Sequence, residues 1–302
     1  MVWHGGDFKK LLTCLLTAFA VQFSCPHHLQ FVEMFAGVGA ITSAMQGFGY
    51  KGKSMDKEFC VADDLLTWCG LLKALWLVSQ VQKGGVVWLA PPCGNFVWMS
   101  RYTTKRSMQN PLGQGANAEL ANKLVSRVCL IVYFCTCIGV NWVIEQPGSS
   151  LLWEHPDVAG LLADLPHRNI QTQLGAFGAN NVKTLVLVGS VPCLQELQRT
   201  VSRSDRARIV KKRLQCGLAR RFTDHNGRTR CTGNSNLTLS SAYTRHFGLA
   251  VADLFHRHWQ NHADPGSTVT ADDVRRAMHF FSSHDEHVFD DIWAQMSSRH
   301  TA

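Results

Sequence analysis

The chain has 302 residues, of which 46% are hydrophobic and 17% are charged, with a net charge of +8. This composition excludes a disordered chain and suits one large domain, or a domain with appendages. The eleven cysteines contain no C-x-x-C pair. They are typical of free thiols in a reducing, intracellular compartment, and no metal site is predicted.

The N-terminal stretch "KKLLTCLLTAFAVQFSC" (9–25) places two lysines before an apolar run. The run is too short to span a bilayer and lacks an A-x-A-like cleavage site. We expect a helical extension over 1–30 and no membrane partner, with a targeting segment as the alternative.

Strands and helices then alternate along the chain. An apolar strand at about 30–35 turns on Gly37 and Gly39 into a helix that ends near Gln46, and a short strand follows, ending at Asp56. This alternation predicts an α/β fold, mostly parallel, with helices on both faces. The later predicted elements are a helix over about 66–81, a strand ending before Pro91, a polar loop over 99–117, a helix over about 117–138, a strand ending at Pro147 and a strand in "VKTLVLVGSVP".

Chemically useful residues follow the predicted strands at their carboxyl ends, where ligands bind in such sheets. A strand that runs into Gly-x-Gly and a helix brings backbone N–H groups close to a ligand. Asp56, about 20 residues further on, is placed to accept hydrogen bonds from ribose hydroxyls. Together they predict a nucleoside-containing cofactor, and the single G-x-G argues against NAD.

The segment "VVWLAPPCGNF" ends a buried strand with two prolines and then presents Cys93. A cysteine near a core is usually a small apolar residue, but here the prolines place the thiol at the ligand edge. Glu145 ends another strand, in "VIEQP". A thiol nucleophile and a carboxyl acid suit an attack on a protonatable conjugated ring.

At the motif level the chain resembles the C5-cytosine methyltransferases. "FAGVGAITSAMQGFG" is similar to their S-adenosylmethionine motif, "PPCGNF" to their PCQxF motif and "VIEQP" to their ENV motif. "FGANNVKTLVLVG" resembles their FGxPQxRxRxxxxG segment, and "YTRHFGLAVADLF" their late YxQxGNAV motif. The elements occur in the family's order over about 31–255.

The resemblance implies a Rossmann-like methyltransferase fold and S-adenosylmethionine as cofactor. Asp56 would hold the ribose and Asp64 the adenine amino group. Cys93 would attack C6 of a flipped cytosine, Glu145 would meet N3, and Lys183 would hold the substrate or Glu145. The other residues expected at the cofactor are Phe35, Ala36, Gly37, Gly39, Pro92 and Gly248.

Several positions depart from the family's motifs. Gly94 replaces the glutamine after the cysteine, Gln146 the asparagine of ENV, and Leu249 the asparagine of the late motif. Lys183 stands for the first arginine of QxRxR and Leu185 for the second; lysine keeps the charge but loses the bidentate fork. These changes leave two alternatives open: a catalytically weak nucleic-acid-binding protein, or a methyltransferase of this fold on another substrate.

Residues 199–230, which we call the basic block, hold eleven Lys or Arg and two acids, so the other 270 residues sum to about −1. A polyanion is its natural partner, and a solvated basic surface is the alternative. We expect DNA rather than RNA, and a nuclear or nucleoid location. The predicted contacts are Arg101, Lys105 and Arg106 in the loop over 99–117, and Lys211, Lys212, Arg213, Arg220 and Arg221 in the basic block.

The predicted organisation has five parts. They are the extension at 1–30, a cofactor-binding and catalytic core at 31–193, a short basic target-recognition-like region at 194–240, a return to the core at 241–262 and a helical tail at 263–302.

Overall fold

The computed structural model describes residues 28–213, 219–223, 225, 227, 229–233 and 242–261. All but the last three residues of the predicted extension (1–30) lie outside the described residues, as does the whole predicted tail (263–302).

Six strands form one mixed sheet in the order β2-β1-β3-β4-β6-β5. Parallel pairing joins β2 to β1, β1 to β3 and β3 to β4, and only β6 runs against the others. The predicted α/β class with a mostly parallel sheet is therefore confirmed, and it is compatible with a Rossmann-like fold. The strands are β1 (Leu29–Met34), β2 (Gly52–Met55), β3 (Val81–Leu89), β4 (Asn141–Pro147), β5 (Arg168–Gln173) and β6 (Thr184–Gly189).

Helices cover both faces of this sheet, as predicted. One apolar cluster packs α1 and α7 against the sheet, and a second packs α2, α4 and α5 against the opposite face. A one-turn helix, α3, lies in the loop after β3, and α6 lies in the basic block. The helices are α1 (Ala40–Gly47), α2 (Trp68–Ser79), α3 (Arg101–Thr104), α4 (Ala116–Cys137), α5 (Pro156–Asp164), α6 (Arg203–Arg213) and α7 (Arg245–Asn261).

Within the described ranges, α4 is the one helix long and apolar enough to cross a membrane by length and composition. Its apolar window is 61% buried inside the protein, and every residue from Val128 to Cys135 is buried. A core helix enclosed by its neighbours has this composition, so the apolar character of α4 is explained by packing.

Several elements escaped the sequence analysis, among them α5, α7 and β5. Strand β5 reads "RNIQTQ", and only Ile170 and Thr172 of its six residues are buried. It lies at the edge of the sheet, where one side of the strand has no neighbour and polar residues are tolerated. Hydrophobic periodicity therefore gave too weak a signal to predict it.

A separate antiparallel hairpin lies in the basic block: β7 (Ala219–Thr223) pairs with β8 (Thr229–Gly233). After it the chain returns to the sheet at 242–261, where α7 packs against α1. Gly248 is the point of closest approach, because a Cβ atom there would meet the Ala40 carbonyl oxygen at 2.3 Å.

We predict that Gly248→Ala lowers the free energy of unfolding by about 1–3 kcal/mol, since the added methyl group forces α7 away from α1. Gly160→Ala in α5 is the matched control, because its Cβ meets open space. It should raise stability by about 0.5–1 kcal/mol, as expected for glycine to alanine within a helix. Urea unfolding measures both, and equal effects would contradict the close contact.

Candidate active site

In the turn after β1, every second residue, three in all, has a backbone conformation in the left-handed region. Phe35 has φ 59°, Gly37 φ 51° and Gly39 φ 66°. Gly39 is the residue before α1, and the Gly37 Cβ position faces open space. The non-glycine Phe35 is strained there, and such strain is common where a backbone is held for a ligand. The turn therefore presents its backbone to the space beyond β1.

Buried Glu33 fixes the start of α1 from below this turn. Its Oε2 accepts hydrogen bonds from the Thr42 backbone N–H at 2.8 Å and from the Thr42 hydroxyl at 2.6 Å. Burial raises the pKa of Glu33, and the hydrogen bonds from Thr42 lower it in part.

Asp56 joins the end of β2 to the glycine turn. Its Oδ2 accepts the Gly37 backbone N–H at 2.8 Å, and its Oδ1 accepts the Glu58 backbone N–H at 2.9 Å. Each oxygen accepts one hydrogen bond here, so a carboxylate oxygen retains capacity for a ligand hydroxyl. Asp56 is half-buried at the mouth of the pocket.

Asp63 and Asp64, further along the chain, differ in how available their carboxylates are to a ligand. Asp63 is buried, forms an ion pair with Lys73 and accepts the Asp56 backbone N–H. Asp64 is partly exposed, and its Oδ1 accepts the Leu66 backbone N–H at 2.9 Å. Asp64 therefore has the freer carboxylate of the two for a ligand donor.

Cys93 lies just beyond β3, at the start of a 3₁₀ turn over Cys93–Asn95. The first of the two prolines before Cys93 is anchored, because the Gln146 side-chain amide donates to the Pro91 carbonyl oxygen. The Ser150 hydroxyl in turn donates to Gln146 Oε1 at 2.9 Å. Gln146 is fully buried, so it links the end of β4 to the loop that carries the thiol.

Glu145 is 6% exposed and lies one residue before Gln146 on β4. The Tyr243 hydroxyl donates to its Oε2 at 2.9 Å, while its Oε1 is buried and makes no hydrogen bond. Burial raises the pKa of Glu145, and Lys183 and the Tyr243 hydrogen bond lower it in part.

The glycine turn, Asp56, Asp64, Cys93 and Glu145 line one pocket of about 450 Å³. Its size lies in the range of small-molecule sites. Two of the three non-glycine residues with positive φ in the described ranges, Phe35 and Lys183, line it. Nine predicted site residues line the pocket: Phe35, Ala36, Gly37, Asp56, Asp64, Pro92, Cys93, Glu145 and Lys183.

Two predicted cofactor residues do not line this pocket. Gly39 lies behind it as the residue that begins α1, and Gly248 packs against the Ala40 carbonyl. Both were placed at the cofactor from motif position alone, and close helix packing is the physical reason for Gly248. Tyr243 was missed as a site residue, although it opens the quoted segment "YTRHFGLAVADLF".

The Cys93 thiol is partly buried and senses both charged neighbours. Burial raises its pKa, Lys183 lowers it, and Glu145 raises it. Because the ionised carboxyl opposes the thiolate, a proton on Glu145 favours ionisation of Cys93. Thiolate and neutral carboxylic acid therefore form a mutually compatible pair.

The loop over 99–117 begins beside the thiol and carries exposed cationic and aromatic side chains. Arg101 and Lys105 are exposed, and the Lys105 ammonium lies 4.5 Å from the centre of the Tyr102 ring. Tyr102 is 70% exposed, and Trp98, just before the loop, is 60% exposed. Exposed aromatic rings and cations are the side chains with which proteins stack on bases and contact phosphates.

Arg106 differs from our expectation of a nucleic-acid contact, since it is 2% exposed. Its guanidinium donates to the carbonyl oxygens of Pro111 and Ala118 and to Asn122 Oδ1, and it lies 4.2 Å from the Phe96 ring centre. A side chain used in this way holds the loop together. Sequence alone gave Arg106 the same appearance as its exposed neighbours.

In the basic block, α6 is docked on the core by part of its charge. Arg208 donates to the carbonyl oxygens of Gly175, Gly178 and Ala179, and Ile209 is buried. Lys211 and Lys212 are exposed. The backbone of Arg213 ends α6, and Arg220 and Arg221 lie in β7; the side chains of these three lie outside the described part.

Across the described ranges, no group of three or more His, Cys, Asp or Glu side chains is arranged to hold a metal ion. No protein-family model matches the chain, and no curated protein matches its sequence.

We predict that iodoacetamide modifies Cys93 slowly at neutral pH and faster as pH rises, because its pKa is raised. Glu145→Gln should speed modification by removing a negative charge, and Lys183→Met should slow it. Peptide mass spectrometry resolves the sites, with exposed Cys60 as the internal reference. Lys53→Met is the matched control for lost charge. A Cys93 rate indifferent to Glu145→Gln would contradict the coupling.

Proposed function

We propose that the protein is an S-adenosylmethionine-dependent methyltransferase that acts on C5 of cytosine in DNA. The observation that carries the proposal is the meeting of Cys93, Glu145 and the glycine turn at one pocket. These groups come from the ends of three neighbouring parallel strands. The proposed reaction needs a nucleophile, an acid and a nucleoside-binding site together, and the pocket has a candidate for each.

The residues present fit S-adenosylmethionine. Gly37 leaves open space beside the turn, and Asp56 and Asp64 offer carboxylate oxygens to ribose hydroxyls and to the adenine amino group. Half-buried Phe35 and exposed Pro92 supply apolar surface. When bound, the cofactor supplies an electrophilic methyl group on a sulfonium.

The chain's own residues activate the cytosine. The Cys93 thiolate forms a bond to C6, and the electron pair of the C5–C6 double bond shifts toward C4 and N3. Glu145 donates a proton to N3, so that negative charge does not accumulate on the ring. The nucleophilic C5 then takes the methyl group. A base removes the C5 proton, the C6–S bond breaks to restore the thiolate, and N3 returns its proton to the Glu145 carboxylate.

Two departures from the resembled family are accommodated locally. Gln146 reaches the Pro91 carbonyl with its longer side chain, so the loop that carries Cys93 is still tied to β4. Gly94 is exposed, and its Cβ position faces open space, so nothing is displaced there. These contacts favour an enzyme over a protein that only binds.

The nucleic-acid part of the proposal is supported by charge near the pocket and by the basic block. Arg101 and Lys105 lie in the loop after Cys93, and Lys211 and Lys212 are exposed on α6. Phosphate contacts of this kind position a strand without reading its sequence. A DNA substrate places the protein with the chromosome, in the nucleus or nucleoid.

We expect DNA that contains 5-fluorocytosine to form a covalent adduct when S-adenosylmethionine is present. After methyl transfer, C5 carries fluorine where a proton would leave, so elimination of Cys93 is blocked. Denaturing gels detect the adduct, which should vanish in Cys93→Ala and persist in the exposed-thiol control Cys69→Ala.

Other outcomes of this experiment separate the alternatives. An adduct that forms with RNA and not with DNA would identify RNA as the substrate. Binding without an adduct would favour a binding protein, and methyl transfer that survives Cys93→Ala would assign the thiol a structural role.

Reversing two exposed charges, in the variant Lys211→Glu/Lys212→Glu, should weaken DNA binding. If each lysine contacts one phosphate, the slope of log K against log salt falls by about 2. Fluorescence anisotropy at several salt concentrations measures it. The control Lys51→Glu/Lys53→Glu reverses two exposed charges beside β2. Unchanged affinity in the first variant would remove the basic block from the DNA interface.

A further inference from the structure

A chain of hydrogen bonds runs behind the pocket from β3 to β4 through the segment that leads into α7. The Trp88 indole N–H donates to the Tyr243 hydroxyl oxygen at 3.2 Å. That hydroxyl donates to Glu145 Oε2 at 2.9 Å. Trp88 is 2% and Glu145 6% exposed, and Tyr243 between them is partly buried where it lines the pocket.

The donor order fixes which way the Tyr243 hydroxyl points. Its oxygen accepts from Trp88, whose indole N–H is a donor only, so its hydrogen is directed to Glu145. Aromatic contacts hold the ring itself: the Tyr243 and Phe247 ring centres are 4.9 Å apart, and Phe247 packs edge-on against Trp88 at 6.1 Å. The tyrosine therefore has little freedom to swing away.

The two oxygens of Glu145 are left in unequal states. Oε2 is engaged by Tyr243, whereas Oε1 is buried, unpartnered and carried by a residue that lines the pocket. A buried polar atom without a partner costs free energy unless something satisfies it. In this pocket, a ligand group is the natural partner for Oε1.

We propose that Tyr243 is the positioning residue for Glu145, holding Oε2 so that Oε1 is the oxygen that meets N3 of the substrate ring. The inference rests on the proposed cytosine chemistry and names the atoms that perform one step of it. Oε1–H gives its proton to N3 as the Cys93 sulfur bonds C6. The electron pair of the Oε1–H bond remains on the carboxylate, and Tyr243 stabilises that charge at Oε2.

The hydrogen bond from Tyr243 bears on the replacement of a family arginine by Leu185. The resembled family carries an arginine where this chain has Leu185, which is fully buried. A leucine offers no side-chain hydrogen-bond donor, whereas Tyr243 donates to the Glu145 carboxyl from a segment 98 positions away in sequence. Lys183 remains on the β6 side as the cation that acts on Glu145.

The titratable groups around this acid are few and have opposing effects. Lys183 and the Tyr243 hydrogen bond lower the pKa of Glu145, against the larger effect of burial. The Cys93 thiol faces the same carboxyl, and Glu33 faces Tyr243 from β1. Removing the tyrosine hydroxyl should therefore move the titration of Glu145 to higher pH.

The test compares Tyr243→Phe with Tyr133→Phe. Tyr133 is a matched control, because it is fully buried and donates to Asp164 Oδ2 at 2.9 Å, on the opposite face of the sheet. Carbon-13 NMR of protein labelled at the glutamate carboxyl carbon follows the titration, and Glu145→Gln identifies the Glu145 signal. Thermal unfolding of both variants checks that they fold.

We expect Tyr243→Phe to shift the Glu145 titration upward and to lower kcat about tenfold or more with KM for DNA retained, since hydrogen bonds to charged groups have that weight. Tyr133→Phe should change neither. An unmoved Glu145 signal, or an unchanged kcat in an active enzyme, would overturn the positioning role.

The readouts also separate this inference from the proposed function. A shifted Glu145 titration in a protein that shows no methyl transfer to DNA or RNA would keep the contact and refute the reaction. Normal methyl transfer by Tyr243→Phe would keep the reaction and refute the role of Tyr243.

Discussion

The parallel pairing of β1, β3 and β4 is the constraint from which the candidate site follows. Met34 pairs with Leu89, and Leu89 pairs with Ile144, so the three strands end at almost the same level. The glycine turn, the Pro-Pro-Cys segment and Glu145 therefore reach one edge of the sheet. A one-residue slip of β4 would turn Glu145 to the opposite face of the sheet.

Buried polar groups around this edge divide into those that hold the fold and one that faces the pocket. Fully buried Arg127 donates to the carbonyl oxygens of Leu65 and Thr67, which fixes the segment that carries Asp64. Gln146 does the same for the loop before Cys93. Glu145 differs from them, because it lines the pocket and one of its oxygens accepts from Tyr243 while the other is buried without a partner.

Electrostatics gives the two surfaces of the protein different chemical characters. Within the pocket, burial raises the pKa of Cys93 and of Glu145 above their usual values. The loop after Cys93 and α6 instead carry exposed cations. A buried reactive pocket beside a cationic exterior suits the proposed reaction on a neutral ring that is part of a polyanion.

Sequence alone determined the alternation of elements, the parallel core of the sheet and the residues at its carboxyl edge, because hydrophobic period and turn residues are local signals. It singled out Cys93, Glu145 and Asp56, each of which follows or ends a strong apolar strand. It missed β5, whose edge position tolerates polar residues, and it treated Arg101 and Arg106 alike. Only the tertiary structure shows that Arg106 is buried, that Gly248 lies in close helix packing and that Tyr243 contacts Glu145. Those outcomes depend on which distant segments share a neighbourhood, and a pairing across 98 positions leaves no periodic trace in the chain.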